Sequence, residues 1–392
     1  MPDPITVLVV GGFRGAALPS GEEIAIQSHL KTLAACPQID ADSLLIRKPE
    51  KEGLFAQFLG LFWSFSMVKL LREKCRQALP KVVHFHSIYP MVSFAPLWAC
   101  RKLGIKTVVT LHNLRFICAE GAYYRNGNTC NLCIKGMGVP SLFFRCVQGS
   151  WLKTLLFFLA NTFFVRFKFG LRWADHFVAV SPFIKAQYLR LGIPDSKISI
   201  LPIAVPPFHG AAPASFDRKT IVFAGRLSVE KGLAVFLELC RHFPEYQFIA
   251  IGPLLSDLPL SSLSNLELLG TRSHEETLHI IHTRASLVII PSICSESYNL
   301  TAHEALALGI PILTSRFGNL PDLVHASQAG VSVTIFDLTT VAAAIVAIHS
   351  DEESYQKMQD SGMAYIQNTL GNQALAADYL ALYSQLAATL CA

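Results

Sequence analysis

Two short segments carry residues arranged for phosphate and sugar chemistry. The first reads Gly225-Arg226-Leu-Ser-Val-Glu-Lys231-Gly232. An apolar run ends in glycine, a cation follows at once, and a second cation precedes a helical pattern. Two cations flanking a helix N-terminus make a diphosphate clamp, because both charges and the amide dipoles point at one spot. Spacing alone gives equal weight to a plainer reading, two solvated surface cations. The second segment runs from Pro291 through Glu296, Ser297, Tyr298, Asn299 and Leu300 to Glu304. An apolar run enters a loop, and a helix is predicted to open near Thr301, with Glu304 in its first turn. The amides of residues 297–300 would then face a bound phosphate. Carboxylates beside phosphate repel it unless they accept hydrogen bonds from sugar hydroxyls. Glu304 has a simpler use as a partner of the helix dipole, which leaves Glu296 unexplained.

Other residues read less sharply. His84 and His86 alternate in Val82–His86 and so share a strand face. A metal pair is one reading, but no third ligand stands nearby, and a hydrogen-bonding role at the strand end is preferred. His112 closes another apolar run, with a turn-capping histidine as the alternative. Cys118, Cys130, Cys133 and Cys146 contain one CxxC with two outlying thiols. A structural zinc site is one reading, and reduced thiols or a disulfide the other, which the loose spacing favours. The stretch from Leu142 to Trp173 mixes Phe and Trp with Arg145, Lys153, Arg166, Lys168 and Arg172. It suits an anionic membrane surface, as does Phe55–Leu71, and a buried N-terminal helix explains it equally well.

The elements that must position these residues follow from the apolar pattern. With 392 residues, 52% hydrophobic and 16% charged, the chain suits two α/β domains and excludes intrinsic disorder. A mean hydropathy of +0.40 points to a membrane neighbour. A net charge of +5 suits phosphate or anionic lipid and is too small to argue for nucleic acid. The first apolar run follows no cationic segment, and Trp151–Val165 is shorter than the ~18 residues a spanning helix needs. A cytoplasmic protein, in peripheral contact with the inner face of the membrane, is expected. Ten cysteines in that compartment are mostly reduced.

Strands are predicted at Ile5–Val10, Asp42–Arg47, Val82–His86, Thr107–His112, His176–Val180 and Ile198–Leu201. A glycine-rich loop is predicted over Gly11–Gly21 and a long helical region over Phe55–Leu79. Pro202–Asp217 reads as a linker, and the plan then repeats with strands from Thr220 to Val333. Strand and helix in alternation mean parallel sheets covered on both faces. Ligands bind beyond the carboxyl ends of such strands, where Gly12, His84, His86, His112, Arg226 and Glu296 stand.

Taken together, Gly225–Gly232, Glu296–Glu304, the following GIPILTSRFGNLPDLV and the earlier ADHFVAVSP resemble family 4 of the glycosyltransferases. The resemblance covers nearly the whole chain, and HNLRFIC with the later cysteines looks like bacterial members that build envelope polysaccharides. It implies a GT-B fold: two Rossmann-like domains with parallel sheets facing a central cleft. Residues 1–205 would bind the acceptor and 206–370 the donor, with helix 371–392 returning to the first domain. It further implies a retaining transfer from a nucleotide diphosphate sugar to a saccharide or lipid-linked saccharide, with no required cofactor. Arg226 and Lys231 would neutralise the diphosphate, Glu304 hold the ribose and Glu296 the transferred sugar. Residues Ser297, Tyr298, Asn299 and Leu300 would serve phosphate, with Thr271 and Arg272 near the base. Gly12 would let backbone approach the diphosphate. His112 would lie close to the reacting carbon, and His84, His86 and Tyr123 would meet the acceptor. UDP and glucose are expected by family frequency alone.

Three departures put the acceptor and loop conformation in doubt: Pro202-Ile203-Ala204, Tyr298-Asn299 and Ser20-Gly21-Glu22-Glu23 replace the usual Pro-Asn-Gly, Phe-Gly and Gly-Gly-x-Glu. A nicotinamide dehydrogenase would want GxGxxG and an acid closing strand two, where Arg47-Lys48 stands. A sugar-nucleotide 2-epimerase shares the fold. A non-catalytic pseudo-glycosyltransferase predicts loss of Arg226, Lys231 or Glu296, all of which are present.

Overall fold

The computed structural model describes residues 3–13, 20–47, 60–86, 88–134, 136–206, 216–256 and 263–389. They form two units: Met1–Tyr123, Asn131–Ala204 and Asn372–Ala392 in one, Tyr124–Cys130 and Val205–Gly371 in the other.

In the first unit, β1 (Ile5–Phe13), β2 (Ile39–Arg47), β3 (Val82–His86), β4 (Lys106–Leu111), β5 (His176–Ala179) and β6 (Ile198–Ile200) lie in the order β2-β1-β3-β4-β5-β6. All pairs are parallel. Val7 to Val10 are buried without alternation, as expected of strands covered on both faces. The helices are α1 (Gly21–Ala34), α2 (Phe65–Ala78), α3 (Ala95–Lys102), α4 (Trp151–Asn161) and α5 (Pro182–Arg190). The C-terminal helix, Asn372–Ala388, packs Ala376, Tyr379, Leu382 and Tyr383 into a core with Val7, Val9, Ile26, Val82 and Val108. This is the returning helix of the sequence reading.

Two details differ from expectation. β1 runs through Gly11, Gly12 and Phe13, pairing Gly12 with Ile46, where a loop was predicted. Ser20-Gly21-Glu22-Glu23 is a capping box: Ser20 Oγ accepts from the Glu23 amide, and the Glu23 carboxylate accepts from the Ser20 amide. The rest of the predicted loop, and the first part of the Phe55–Leu79 helix, lie outside the described residues.

In the second unit, β7 (Thr220–Ala224), β8 (Gln247–Ile251), β9 (Leu266–Gly270), β10 (Leu287–Ile290), β11 (Ile312–Ser315) and β12 (Gly330–Val333) lie in the order β9-β8-β7-β10-β11-β12, all parallel. Helices α6 (Leu233–His242), α7 (His274–Arg284), α8 (Leu300–Ala307), α9 (Leu320–Ser327), α10 (Leu338–Ile348) and α11 (Glu352–Thr369) cover it. Alternate strand residues enter opposite cores. Val222, Ile249 and Val288 meet Ile281, Leu306 and Ile366, while Ile221, Phe248 and Ile289 meet Phe236, Leu237 and Ile345.

Strand order reverses between β1 and β3 in one sheet and between β7 and β10 in the other. Such reversals open a crevice at the carboxyl ends of the flanking strands. Gly12 and His86 stand at the first reversal, Arg226 and Pro291–Glu296 at the second.

Candidate functional site

At the second reversal, two loops are sewn together by backbone. The Glu230 carbonyl accepts from the amides of Ile293 and Cys294 at 2.9 and 3.2 Å. Gly232 has a φ of +87°, and a Cβ there would lie 1.9 Å from the Pro291 carbonyl oxygen, so only glycine lets the loops approach this closely. The Asn319 amide donates to the Glu296 carbonyl at 2.8 Å. Lys231 and Glu296 are thereby brought together, Nζ to Oε1 at 2.6 Å. Ser292 Oγ donates to the same oxygen at 2.5 Å, and the Asn299 side chain also hydrogen-bonds the carboxylate.

The charge states follow. Burial works against ionisation of both groups, but mutual attraction and these hydrogen bonds outweigh it. Lys231 is held above the usual lysine range and Glu296 below the usual carboxylate range. Both are ionised at neutral pH. Arg226 differs: its side chain is 56% exposed, with Nη2 3.5 Å from Glu230 Oε1. It is a largely exposed cation close to a buried ion pair.

The loop after Glu296 explains the Tyr298-Asn299 departure. Asn299 takes a left-handed conformation, φ +66°, and its Oδ1 caps α8 by accepting from the Ala302 amide at 2.9 Å. Tyr298 is buried and stacks on His303, ring centroids 3.9 Å apart. His303 Nδ1 donates to the Asn299 carbonyl at 2.8 Å. Leu300 opens the helix, so Glu304 lies beyond the first turn rather than in it, and the dipole explanation weakens. Glu304 Oε1 instead accepts from His274 Nε2 at 2.7 Å. His274 escaped the sequence reading because it lies 30 residues away. Thr271 and Arg272 are exposed between β9 and α7.

In the first unit the structure gathers histidines. His84 and His86 are buried, and His29 of α1 joins them, the third imidazole that sequence spacing did not supply. The potential ligand atoms of these three lie within 4.8 Å of one another. His112 is no turn cap: its Nε2 lies 2.8 Å from His86 Nδ1. Burial holds all four neutral, His29 at about 3 and His112 at about 4, with His84 and His86 well below the usual range. His29, His86, Thr110, His112 and Tyr379 line one cavity, with Pro202, Ile203 and Ala204 on its rim.

Tyr123 is buried and donates its hydroxyl to Gln187 Oε1 at 3.3 Å, which makes it a packing residue rather than an open acceptor contact. Cys118, Cys130, Cys133 and Cys146 are not joined in disulfides. Among the described residues they form no metal-ligand grouping. Arg166, in the stretch read equally as a membrane surface or a buried helix, turns inward and donates to the carbonyls of Ile117 and Cys133 at 3.0 and 3.1 Å.

The family profile described as Glycosyltransferase Family 4 matches residues 35–207, and that described as Glycosyl transferases group 1 matches residues 209–364. The chain is similar to a putative colanic acid biosynthesis glycosyltransferase of Escherichia coli, 26% identical over 199 residues, 45% of this chain and 48% of the relative. It spans about half the length of the curated relatives it matches. Among solved structures, a sucrose-phosphate synthase from Thermosynechococcus elongatus superposes with a TM-score of 0.68 at 19% identity, covering 99% of this chain and 100% of the other. The Anabaena HepE protein in complex with UDP-glucose superposes at 0.65 and 14% identity, covering 97% of this chain and 100% of that one. These likenesses establish the GT-B fold.

Proposed function

The chain belongs to the glycosyltransferases of group 1 and family 4, and on that basis we propose that it moves a hexosyl group, with retention, from a nucleotide diphosphate sugar to a saccharide or lipid-linked saccharide of a bacterial envelope polysaccharide. The observation that carries this reading is the ionised Lys231–Glu296 pair at the strand-order reversal, with the exposed Arg226 close by.

The chemistry follows from where charge develops. Cleavage of the bond between the anomeric carbon and the β-phosphate oxygen leaves both electrons on the diphosphate. Lys231 and Arg226 are the cations for that growing charge. The acceptor hydroxyl oxygen bonds to the anomeric carbon from the same face, and its proton passes to the departing phosphate oxygen. No carboxylate nucleophile is required, unlike in a retaining glycosidase. Glu296, acceptor-only when ionised, takes sugar hydroxyl hydrogens, and Glu304 takes those of the ribose. A UDP-hexose donor is supported by the fold neighbour bound to UDP-glucose.

A lipid-linked acceptor is supported by the surface around α4. Residues 136–174 contain no Asp or Glu, and Arg145, Lys153, Lys168 and Arg172 are exposed or half-buried there. Phe143, Trp151 and Phe167 are 79%, 54% and 57% exposed there. Aromatics and cations without acids suit an anionic lipid surface. Among the described residues no helix is long and apolar enough to cross a membrane.

The test is incubation with a panel of nucleotide sugars and a bacterial membrane extract, with products read by mass and anomeric coupling. Transfer with the donor's own α configuration is expected. Release of a free 2-epimer without acceptor would replace the transferase reading by an epimerase.

A further inference from the structure

The histidines of the first unit are joined in one unbroken series of hydrogen bonds. Thr110 Oγ1 meets His84 Nε2 at 2.6 Å, and His84 Nδ1 meets the Tyr383 hydroxyl at 2.6 Å. The Tyr383 hydroxyl meets His29 Nε2 at 3.2 Å, and His29 Nδ1 meets His86 Nε2 at 2.8 Å. His86 Nδ1 meets His112 Nε2 at 2.8 Å. Four elements contribute: β4 with the residue after it, β3, α1 and the C-terminal helix. The ring nitrogens of His29, His84 and His86 face partners in pairs rather than converging on a point, so hydrogen bonding describes the cluster better than a metal site does.

A neutral imidazole carries one N–H and one lone pair, so each ring that accepts on one nitrogen must donate from the other. One choice of direction therefore fixes every proton in the series. The choice is made at its buried end. Among the described residues the Thr110 hydroxyl has no hydrogen-bond partner except His84 Nε2. If Thr110 donates, its hydroxyl hydrogen is paired within the series, whereas a donating His84 would leave that hydrogen without a protein partner. Thr110 is therefore assigned as the donor. His84 then donates through Nδ1 to Tyr383, Tyr383 to His29, His29 through Nδ1 to His86, and His86 through Nδ1 to His112.

We infer that Thr110, His84, Tyr383, His29 and His86 are positioning residues that hold His112 in its Nδ1–H tautomer, presenting a hydrogen-bond donor to an oxygen of the sugar donor. His112 Nε2 is occupied as acceptor, and Nδ1, on the ring's other side, has no partner among the described residues. The C-terminal helix is thereby tied to His112 through Tyr383. The inference rests on the transferase reading for its ligand but not for its proton arrangement.

The test uses the full chain labelled with 15N-histidine, with two-bond 1H–15N correlations at neutral pH and His112→Gln to assign His112. All four histidines are expected as Nδ1–H tautomers, the form that free imidazole side chains disfavour in water. In Tyr383→Phe the series is cut: His84 loses its acceptor, and His29, His86 and His112 lose the direction set at Thr110, so His112 is expected to move toward the Nε2–H form. In His86→Leu, His112 is expected to regain the Nε2–H form, and kcat/KM for the nucleotide sugar to fall at least ~10-fold. An Nε2–H form of His112 in the unaltered protein, an unchanged His112 in Tyr383→Phe, or stoichiometric metal lost on His84→Ala would each overturn the inference. Because the tautomers are read without substrate, absence of transfer activity would instead count against the transferase reading.

Discussion

Lys231 Nζ lies 2.6 Å from Glu296 Oε1, which couples the residue assigned to phosphate with the residue assigned to sugar. Their side chains are only 22% and 9% exposed, so neither charge is well solvated without the other. Lys231→Met should strand the Glu296 carboxylate and cost about 3–5 kcal/mol of stability. The double substitution Lys231→Met, Glu296→Gln should recover most of that loss, because no buried charge remains. Turnover should stay at least ~100-fold down in both. Urea melts that rank the single and double variants as equal would contradict the buried pair.

Arg226 makes the opposite prediction. Its guanidinium is more than half exposed and 3.5 Å from Glu230. Arg226→Ala should leave stability within about 0.5 kcal/mol, the range for exposed ion pairs. Turnover should nonetheless fall ~100-fold or more, because the cation is lost where leaving-group charge grows. Near-normal turnover would make Arg226 an ordinary surface cation, the reading that spacing alone left open.

The buried histidines set a pH window for stability. His29 titrates at about 3 and His112 at about 4 in the folded chain, against an ordinary 6.5, and His84 and His86 are shifted in the same direction. Between those limits the unfolded chain binds protons that the folded chain refuses, so stability falls as pH falls below ~6.5. Each histidine contributes up to about 1.4 kcal/mol per pH unit until its folded form also protonates. Urea midpoints measured from pH 7.5 to pH 5 should drop steeply. A flat profile would show that the rings are solvated.

The sheets were legible because strands such as Val7–Val10 and Leu287–Ile290 are unbroken apolar runs between turn signals, and burial on both faces demands such runs. The Lys231 and Glu296 motifs were legible as local patterns. Their contact was not, since it depends on Gly232 and Gly318 letting separate loops touch. His84 and His86 were visible as a strand pair by alternation. His29 stands 57 residues from His86, and Tyr383 lies 299 residues from His84, so nothing local marked either as a partner. Gly11 to Phe13 were misread as loop because glycine suggests a turn, whereas they continue β1 and Gly11 admits Ile26 of α1. A Cβ at Gly11 would lie 2.6 Å from Ile26 Cδ1.

Gly318 offers a test of the loop geometry that touches no charged group. Its φ is +74°, and a Cβ would lie 2.1 Å from the Glu296 carbonyl oxygen. Gly318→Ala should therefore cost more than ~1 kcal/mol, the usual limit where alanine fits. It should also displace Glu296 and lower turnover at least ~10-fold, since small misplacements of reacting groups are expensive. A structure of the variant with Lys231 and Glu296 unmoved, together with full activity, would uncouple this loop from catalysis.

The acid-free surface around α4 predicts lipid binding that depends on both charge and aromatics. Arg145 and Arg172 are exposed, and each cation near an anionic surface is worth about 1 kcal/mol. Reversing both, Arg145→Glu and Arg172→Glu, should weaken binding to phosphatidylglycerol-containing vesicles by at least ~30-fold, with a loss that shrinks as salt rises. Phe143→Ser with Trp151→Ser should weaken binding at every salt concentration, because that term is burial of apolar area. Flotation assays with neutral and anionic vesicles separate the two contributions. If the unaltered protein stays in the dense fraction with anionic vesicles at low salt, these exposed rings do not meet lipid, and the acceptor need not be sought at a membrane.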